Sequence, residues 1–342
     1  MNELLTSGQY AMAKSFWLAA LSFVVALLWT PLFTDFLYKN RLGKRIRQTG
    51  FDEKKAPIFY SLHKHKENTP TMGGILFWVT VAVVTVLMNL SRSQTWLPLF
   101  VLVTTGVVGA LDDLMNIRGV GPNRGGLRFR WKLLLYTLIA GIGAWWFFSK
   151  LGWSVITLPV VGPVEIGVWY VPLFIAVLVF TTFSANETDG LDGLLSGTVL
   201  SCIAAFAVIA LVQGKTELAA FCGTLLGAVM AFLWFNIYPA RFFMGDTGAM
   251  SLGMILGILA FLTDTVIFLP IIAALLYLEG LSALVQIISK KLRHGKKVFL
   301  SAPFHHHLEA MGWPEPKITM RFWIISAMMS MIGLFVFLVS RV

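Results

Sequence analysis

Charge is scarce in this 342-residue chain: 13% of its residues are Asp, Glu, Lys or Arg, where a soluble domain carries about 25%. Acidic residues are the rarer kind, 17 against 27 Lys and Arg. Cysteine is almost absent, and Cys202 and Cys222 both sit in apolar runs, which excludes a disulfide framework and a thiolate metal site. No P-loop lysine motif and no βαβ nucleotide-binding pattern occurs, which argues against ATP-driven work. What fills the chain instead is apolar, at 57% hydrophobic residues with 30 glycines besides. Neither a disordered segment nor an ordinary soluble globule has that balance. The chain reads as a membrane protein.

A spanning helix needs about 20 largely apolar residues, because lipid offers the backbone no hydrogen-bond partner. Ten stretches qualify as candidates, at about 16–38, 73–91, 95–111, 131–148, 168–185, 193–212, 217–235, 248–263, 266–288 and 320–341. The expected fold is an all-α polytopic bundle forming one integral membrane domain over 1–342. Only Thr263, Asp264 and Thr265 separate the eighth and ninth stretches. The first begins too late and runs too long for a cleaved signal peptide.

Numbering each loop by the span it follows, 21 of the 27 basic residues fall in odd loops and only Arg92, Lys150 and Lys215 in even ones. The positive-inside rule then puts the odd loops, about 39–72, 112–130, 186–192, 236–247 and 289–319, in the cytoplasm and both termini outside. The excess of +10 is thereby a topology signal, and no nucleic-acid partner is needed to explain it. Most acidic residues and all six histidines share the same side, which the rule does not require. Carboxylates at the ends of apolar spans are costly unless hydrated, paired or metal-bound.

Asp112 and Asp113 close the third span in VVGALDDLMNIRG, and a basic stretch, RGGLRFRWK, follows. Adjacent carboxylates repel, and a cation relieves both; a hydrated helix end is the plain alternative. In SANETDGLDGLLSG, Asp189 and Asp192 share a face if the segment is helical, while Gly190 and Gly193 allow close backbone approach. Asn186 suits a cap or a sugar contact. Asp246, in FFMGDTGAMSLG, offers a hard oxygen ligand to magnesium beside the start of an apolar helix, or simply caps that helix. His305, His306 and His307 are consecutive and point different ways, so a zinc site is disfavoured and donation to a diphosphate or a proton relay is preferred. The segment at about 281–297, apolar and then strongly basic, reads as an interfacial helix. Asp35 and Glu279 resist the scheme, because each lies inside an apolar span and calls for a partner or a task.

Hard carboxylate ligands, glycines, basic residues and histidines at one membrane surface fit magnesium-assisted phosphoryl transfer between a soluble donor and a lipid acceptor. NTPTMGG at 68–74, the Asp pair at 112–113, NETDGLDGL at 186–194, WFNIYPARFFMGDTG at 234–248 and HHHLEAMGWPEPK at 305–317 carry a resemblance. From about residue 40 onward the chain resembles the bacterial phospho-N-acetylmuramoyl-pentapeptide-transferase family, within the polyprenyl-phosphate N-acetylhexosamine-1-phosphate transferase superfamily. The resemblance implies a multi-pass enzyme of the bacterial cytoplasmic membrane. It would transfer phospho-MurNAc-pentapeptide from UDP-MurNAc-pentapeptide to undecaprenyl phosphate, with Mg²⁺, as a homodimer.

By motif, Asp246 resembles the magnesium ligand, and Asp112 the residue that deprotonates the lipid phosphate, with Asp113 beside the cation. Asp189, Gly190, Leu191, Asp192 and Phe243 resemble a uridine pocket. Lys66, Asn186, Asn236 and His306, flanked by His305 and His307, resemble groups lining the donor site, and Lys132 a basic residue near the phosphates. Asn68, where the family usually has Gly, and Glu187, where it usually has Leu, are departures. A sibling transferring GlcNAc-1-phosphate is the enzyme alternative, against which PTMGG and the triple histidine argue. A secondary transporter is the non-enzyme alternative, for which only Glu279 lies at a suitable depth.

Overall fold

In the computed structural model the described residues are 2–43, 66, 68–121, 126–159 and 161–341. The basic and histidine positions Lys44, Arg45, Arg47, Lys54, Lys55, His63, Lys64, His65 and Arg124 lie outside them. Twelve helices are used below: α1 Asn2–Lys39, α2 Ile75–Met88, α3 Trp96–Ile117, α4 Phe129–Trp145, α5 Tyr170–Thr188 and α6 Leu194–Val212. They continue with α7 Thr216–Asn236, α8 Gly245–Leu262, α9 Leu269–Ile272, α10 Ala274–Leu292, α11 Phe304–Ala310 and α12 Glu315–Val339. One antiparallel hairpin, β1 Val155–Leu158 with β2 Gly162–Glu165, departs from an all-helical fold.

Among the described residues eight helices are long and apolar enough to cross a membrane, where the sequence suggests ten. The two differences have physical causes. Helix α2 has 14 residues and spans about 21 Å, short of a hydrocarbon core of about 30 Å. The ninth stretch breaks at Ala273 into the short α9 and a separate α10, whose Glu279, Lys290 and Lys291 interrupt its apolar character. Of the segment 281–297 expected as an interfacial helix, 281–292 is the second half of α10, and 293–297 lie beyond its end.

Helix α8 is the centre of the bundle. Every one of its residues except Asp246 is buried, and it packs against α3 and α5. A helix apolar all round belongs in a core, and α8 obeys that rule up to its first turn. At its far end, about 27 Å away, the backbone N–H and hydroxyl of Thr157 both bond Asp264, pinning the hairpin to the α8–α9 turn. The outer faces of α1 and α12 expose Phe16, Leu28, Leu32, Ile324 and Phe335, as helices facing hydrocarbon do. Asp35, unexplained by sequence, is exposed and pairs with Lys39 one turn on, at 2.6 Å.

Without a hydrophobic drive between helices in lipid, close packing needs small residues at the crossing. Helix α1 lies on α7 at Gly223 and Gly227, four residues apart. A Cβ on Gly227 would stand 1.9 Å from the Ala19 carbonyl oxygen, and one on Gly223 would stand 2.3 Å from that of Ser15. Gly227→Leu is therefore expected to push α1 off its seat at a cost of about 1–3 kcal/mol, read as a lower unfolding temperature in detergent. An unchanged unfolding temperature refutes this account of the crossing.

Candidate active site

The polar groups converge at the α8 N-terminus. Helix α8 starts where Gly245 takes φ +76°, a left-handed conformation, with its Cα against Asp113. The Asp113 carboxylate accepts the backbone N–H groups of Asp246 and Thr247, both at 3.1 Å, and so caps the helix from α3. The capping task that sequence offers to Asp246 thus belongs to Asp113, and the Asp246 side chain is released to the site. The PTMGG segment supports the same turn by backbone pairing. Gly73 and Gly74 donate to the carbonyls of Phe243 and Met244 at 2.8 Å, and Phe243 donates to that of Pro70 at 2.7 Å.

Four helix ends then meet. Lys132, on the first turn of α4, bridges Asp112 of α3, at 2.6 Å, and Asp246 of α8. Asn186 of α5 donates to the other Asp246 oxygen at 2.8 Å. Asp112 Oδ1 accepts the Leu127 N–H at 2.6 Å from the loop that follows α3. Asp112 Oδ2 faces the Lys132 ammonium, and the Asp112 and Asp246 carboxylates lie side by side.

A second cluster lies beside it. The Lys66 ammonium donates to Asp192 at 2.7 Å and to Glu315 at 2.5 Å, all three buried. The same Glu315 oxygen accepts the Asp192 N–H at 2.6 Å, and the second Asp192 oxygen accepts that of Ala240 at 2.9 Å. Burial works against the Lys66 charge, but Asp192 and Glu315 outweigh it and hold the lysine above its ordinary range. The ammonium also lies 5.9 Å from the ring centroids of Phe243 and Tyr238. Asn236 is buried as a tie: it accepts from Gly193 at 3.1 Å and Ser196 at 3.2 Å, and donates to the Phe242 carbonyl at 3.0 Å.

The histidines of α11 form a third cluster. His305 meets Glu279 at 2.9 Å, His306 meets Glu309 at 2.6 Å, and His307 accepts the Leu300 N–H at 3.2 Å. His305 and His306 both abut Gly190, where a Cβ would stand 2.1 Å and 3.1 Å from their Nε2 atoms.

The comparisons with known proteins can now be set beside this geometry. A family profile described as glycosyl transferase family 4 matches residues 95–264, and one described as phospho-N-acetylmuramoyl-pentapeptide-transferase signature 1 matches residues 66–77. The phospho-N-acetylmuramoyl-pentapeptide-transferase of Chloroflexus aggregans is 36% identical over 336 residues, covering 94% of this chain and 89% of the relative. The protein of that name from Geobacillus sp. is 38% identical over 323 residues, covering 92% and 95%. That from Desulfotalea psychrophila is 34% identical over 345 residues, covering 95% and 93%. The chain belongs to the phospho-N-acetylmuramoyl-pentapeptide-transferase family.

Against that family, the expected residues divide into two kinds. Asp112, Lys132, Asn186 and Asp246 form one charged cluster, whereas Asp113 and Asn236 are committed to holding backbone. Asp189 and Asp192 do not share a helix face, because α5 ends at Thr188 and α6 begins only at Leu194. Leu191 is 4% exposed and packs with Leu194, Leu275, Ile318 and Phe322, so it anchors its loop. Sequence reasoning missed Glu315, the partner shared by Lys66 and Asp192, although it stands inside the GWPEPK motif that carries the resemblance. Glu309 was missed too, three residues from its histidine.

The donor set also fits a magnesium ion, which takes one or two carboxylates and completes its shell with water and substrate phosphates. Asp246 and Asp112 aim oxygens at one point now held by an ammonium, and Asp112 Oδ2 has a lone pair to give. No group of three His, Cys, Asp or Glu side chains suited to a metal occurs among the described residues.

Asp113→Ala is expected to remove the cap of a buried helix, costing about 1–2 kcal/mol or more and lowering the unfolding temperature. Asp246→Ala leaves that cap in place and should unfold close to wild type. Equal thermal losses in the two variants would refute this division of labour.

Proposed function

We propose that the chain catalyses transfer of phospho-MurNAc-pentapeptide from UDP-MurNAc-pentapeptide to undecaprenyl phosphate at the cytoplasmic face of a bacterial membrane, releasing UMP. Family membership over more than nine-tenths of the chain supports the activity. One observation carries the choice of centre: Asp112, Asp246, Asn186 and Lys132 meet at one end of the bundle, from four different helices. In this reading the odd loops are cytoplasmic, both termini are external, and ten segments cross or enter the membrane, with α2 and the broken α9–α10 pair as the two short ones. The active form is a homodimer.

Asp246 holds the magnesium ion, with Asp112 beside it. The ion, when bound, neutralises the donor diphosphate and the departing UMP phosphate. Asn186 orients the Asp246 carboxylate by donating to the oxygen that Lys132 does not take. Lys132 balances two carboxylates that would otherwise repel each other, and turns to a phosphate oxygen when the substrates arrive. Asp112 takes the proton from, or orients, the acceptor phosphate. Lys66, Asp192, Asp189, Gly190 and Phe243 form the nucleotide side, and Asn236 and Leu191 hold its walls. Helix ends at the membrane surface let the soluble donor enter from water and the lipid acceptor from the side.

Purified protein with magnesium, undecaprenyl phosphate and UDP-MurNAc-pentapeptide should release UMP and form a lipid-linked sugar. Asp246→Ala should lose at least about 10³-fold in kcat while keeping a folded protein. No product from the wild type under conditions where a relative works would refute the activity, and substantial turnover by the variant would remove the role of Asp246. Product from UDP-GlcNAc in place of the muramoyl donor would favour the sibling reaction.

A further inference from the structure

Glu279 has no part in the chemistry above, yet it is fully buried on α10 with its charge facing one side chain. Its Oε1 accepts the His305 backbone N–H at 3.1 Å, and its Oε2 stands 2.9 Å from His305 Nδ1. Backbone and ring of His305 are thus fixed by one carboxylate, which commits Nδ1–H and fixes the ring's orientation. Gly280 seats this part of α10 against α5, where a Cβ would come 2.1 Å from Ser184 Oγ.

The other ring nitrogen is the informative one. His305 Nε2 is buried and has no hydrogen-bond partner among the described residues. It lies against Gly190, in the turn between α5 and α6, with only the glycine's hydrogens in between. A buried polar atom without a hydrogen-bond partner is costly, and native proteins keep one chiefly where a ligand or water completes it. The groups facing His305 are Glu279 from α10, Glu187 from α5, and Glu309 and the His306 ring from its own helix, the last at 4.0 Å between centroids.

We propose that Glu279 is a positioning residue: it holds His305 as an imidazolium whose Nε2–H is kept for an oxygen of the nucleoside diphosphate donor, reached when the Gly190 turn shifts. The inference rests on the reaction proposed above, whose nucleotide side includes Gly190, the residue His305 lies against. The electrostatics agree. Burial works against the imidazolium, but Glu279 outweighs it, and Glu309 and Glu187 act in the same direction, so His305 titrates above its ordinary range. The charged pair is complete below the ordinary histidine value and is lost as pH rises through the raised one.

The test compares wild type, Glu279→Gln and His305→Gln by UMP release, with donor varied from about pH 6 to about pH 9 and acceptor and magnesium saturating. Gln keeps the shape and an acceptor but removes the charge. The alkaline limb of kcat/KM for the donor should move down by at least about one pH unit in Glu279→Gln. The variant is then roughly tenfold impaired at the alkaline end and within about twofold of wild type at the acid end. A loss equal at every pH, with the limb unmoved, gives Glu279 a structural role only and overturns the inference. If His305→Gln keeps wild-type kcat/KM, the placement of His305 at the donor site fails. If His305→Gln is impaired while the limb of Glu279→Gln stays in place, the positioning role fails alone. Should Glu279→Gln not fold, nitrogen NMR of histidine-labelled wild type decides, the His305 signal being the one lost in His305→Gln. A charged ring at neutral pH supports the proposal, and a neutral one overturns it.

Discussion

The N-terminus of α8 is the constraint on which the site depends. A helix that begins inside a packed bundle has N–H groups with no intrahelical partner and little water to satisfy them. Here the Asp113 carboxylate supplies two acceptors from a neighbouring helix, and the Thr247 hydroxyl donates onward to the Gly106 carbonyl at 2.6 Å. Because the cap comes from α3, Asp246 need not fold back on its own helix. Its side chain projects from the one half-buried position of an otherwise buried helix. With the helix start fixed by Asp113, the Asp246 carboxylate is left to side-chain partners, Lys132 and Asn186, which hold it in a precise position.

From that point the charged groups are arranged in pairs that cross elements. Lys132 joins α4 to α3 and α8. Lys66 joins the segment before PTMGG to the α5–α6 turn and to the start of α12. Glu279 joins α10 to α11. Each ammonium or imidazole compensates carboxylates that burial would otherwise make expensive, so the polar end of the bundle is held by charge where the rest is held by packing. The cost of such an arrangement is that each cation must exchange partners, or share them, when phosphates enter.

The stretches of apolar sequence made the architecture legible, since hydropathy alone marks a spanning helix. Both departures from regular spans fall where a local feature competes with hydropathy: the short α2, entered through PTMGG, and the Ala273 break before Glu279. The carboxylates of the candidate site were legible because charge is rare in this chain and has to be explained wherever it sits next to apolar residues. What each carboxylate does was not legible. Asp112 and Asp113 are neighbours in sequence and offer the same chemistry, yet one faces Lys132 and the other a helix terminus, because successive residues on a helix point about 100° apart. Glu315 escaped notice for the opposite reason. It stands in a polar segment, where a carboxylate is unremarked until a lysine 249 residues away is found against it.

The sequence by itself determined that this is a helical membrane protein, which end of the bundle carries its scarce acids, and which family it belongs to. Those properties are written in composition and in short runs of adjacent residues. Only the tertiary structure decided that Asp113 caps a helix while Asp246 faces Lys132 and Asn186. It also decided that Asn236 ties neighbouring backbone, that Leu191 anchors its loop, and that Glu279 answers to His305. Each of those assignments is a contact between elements distant in the chain, and no local pattern encodes the partner that burial selects.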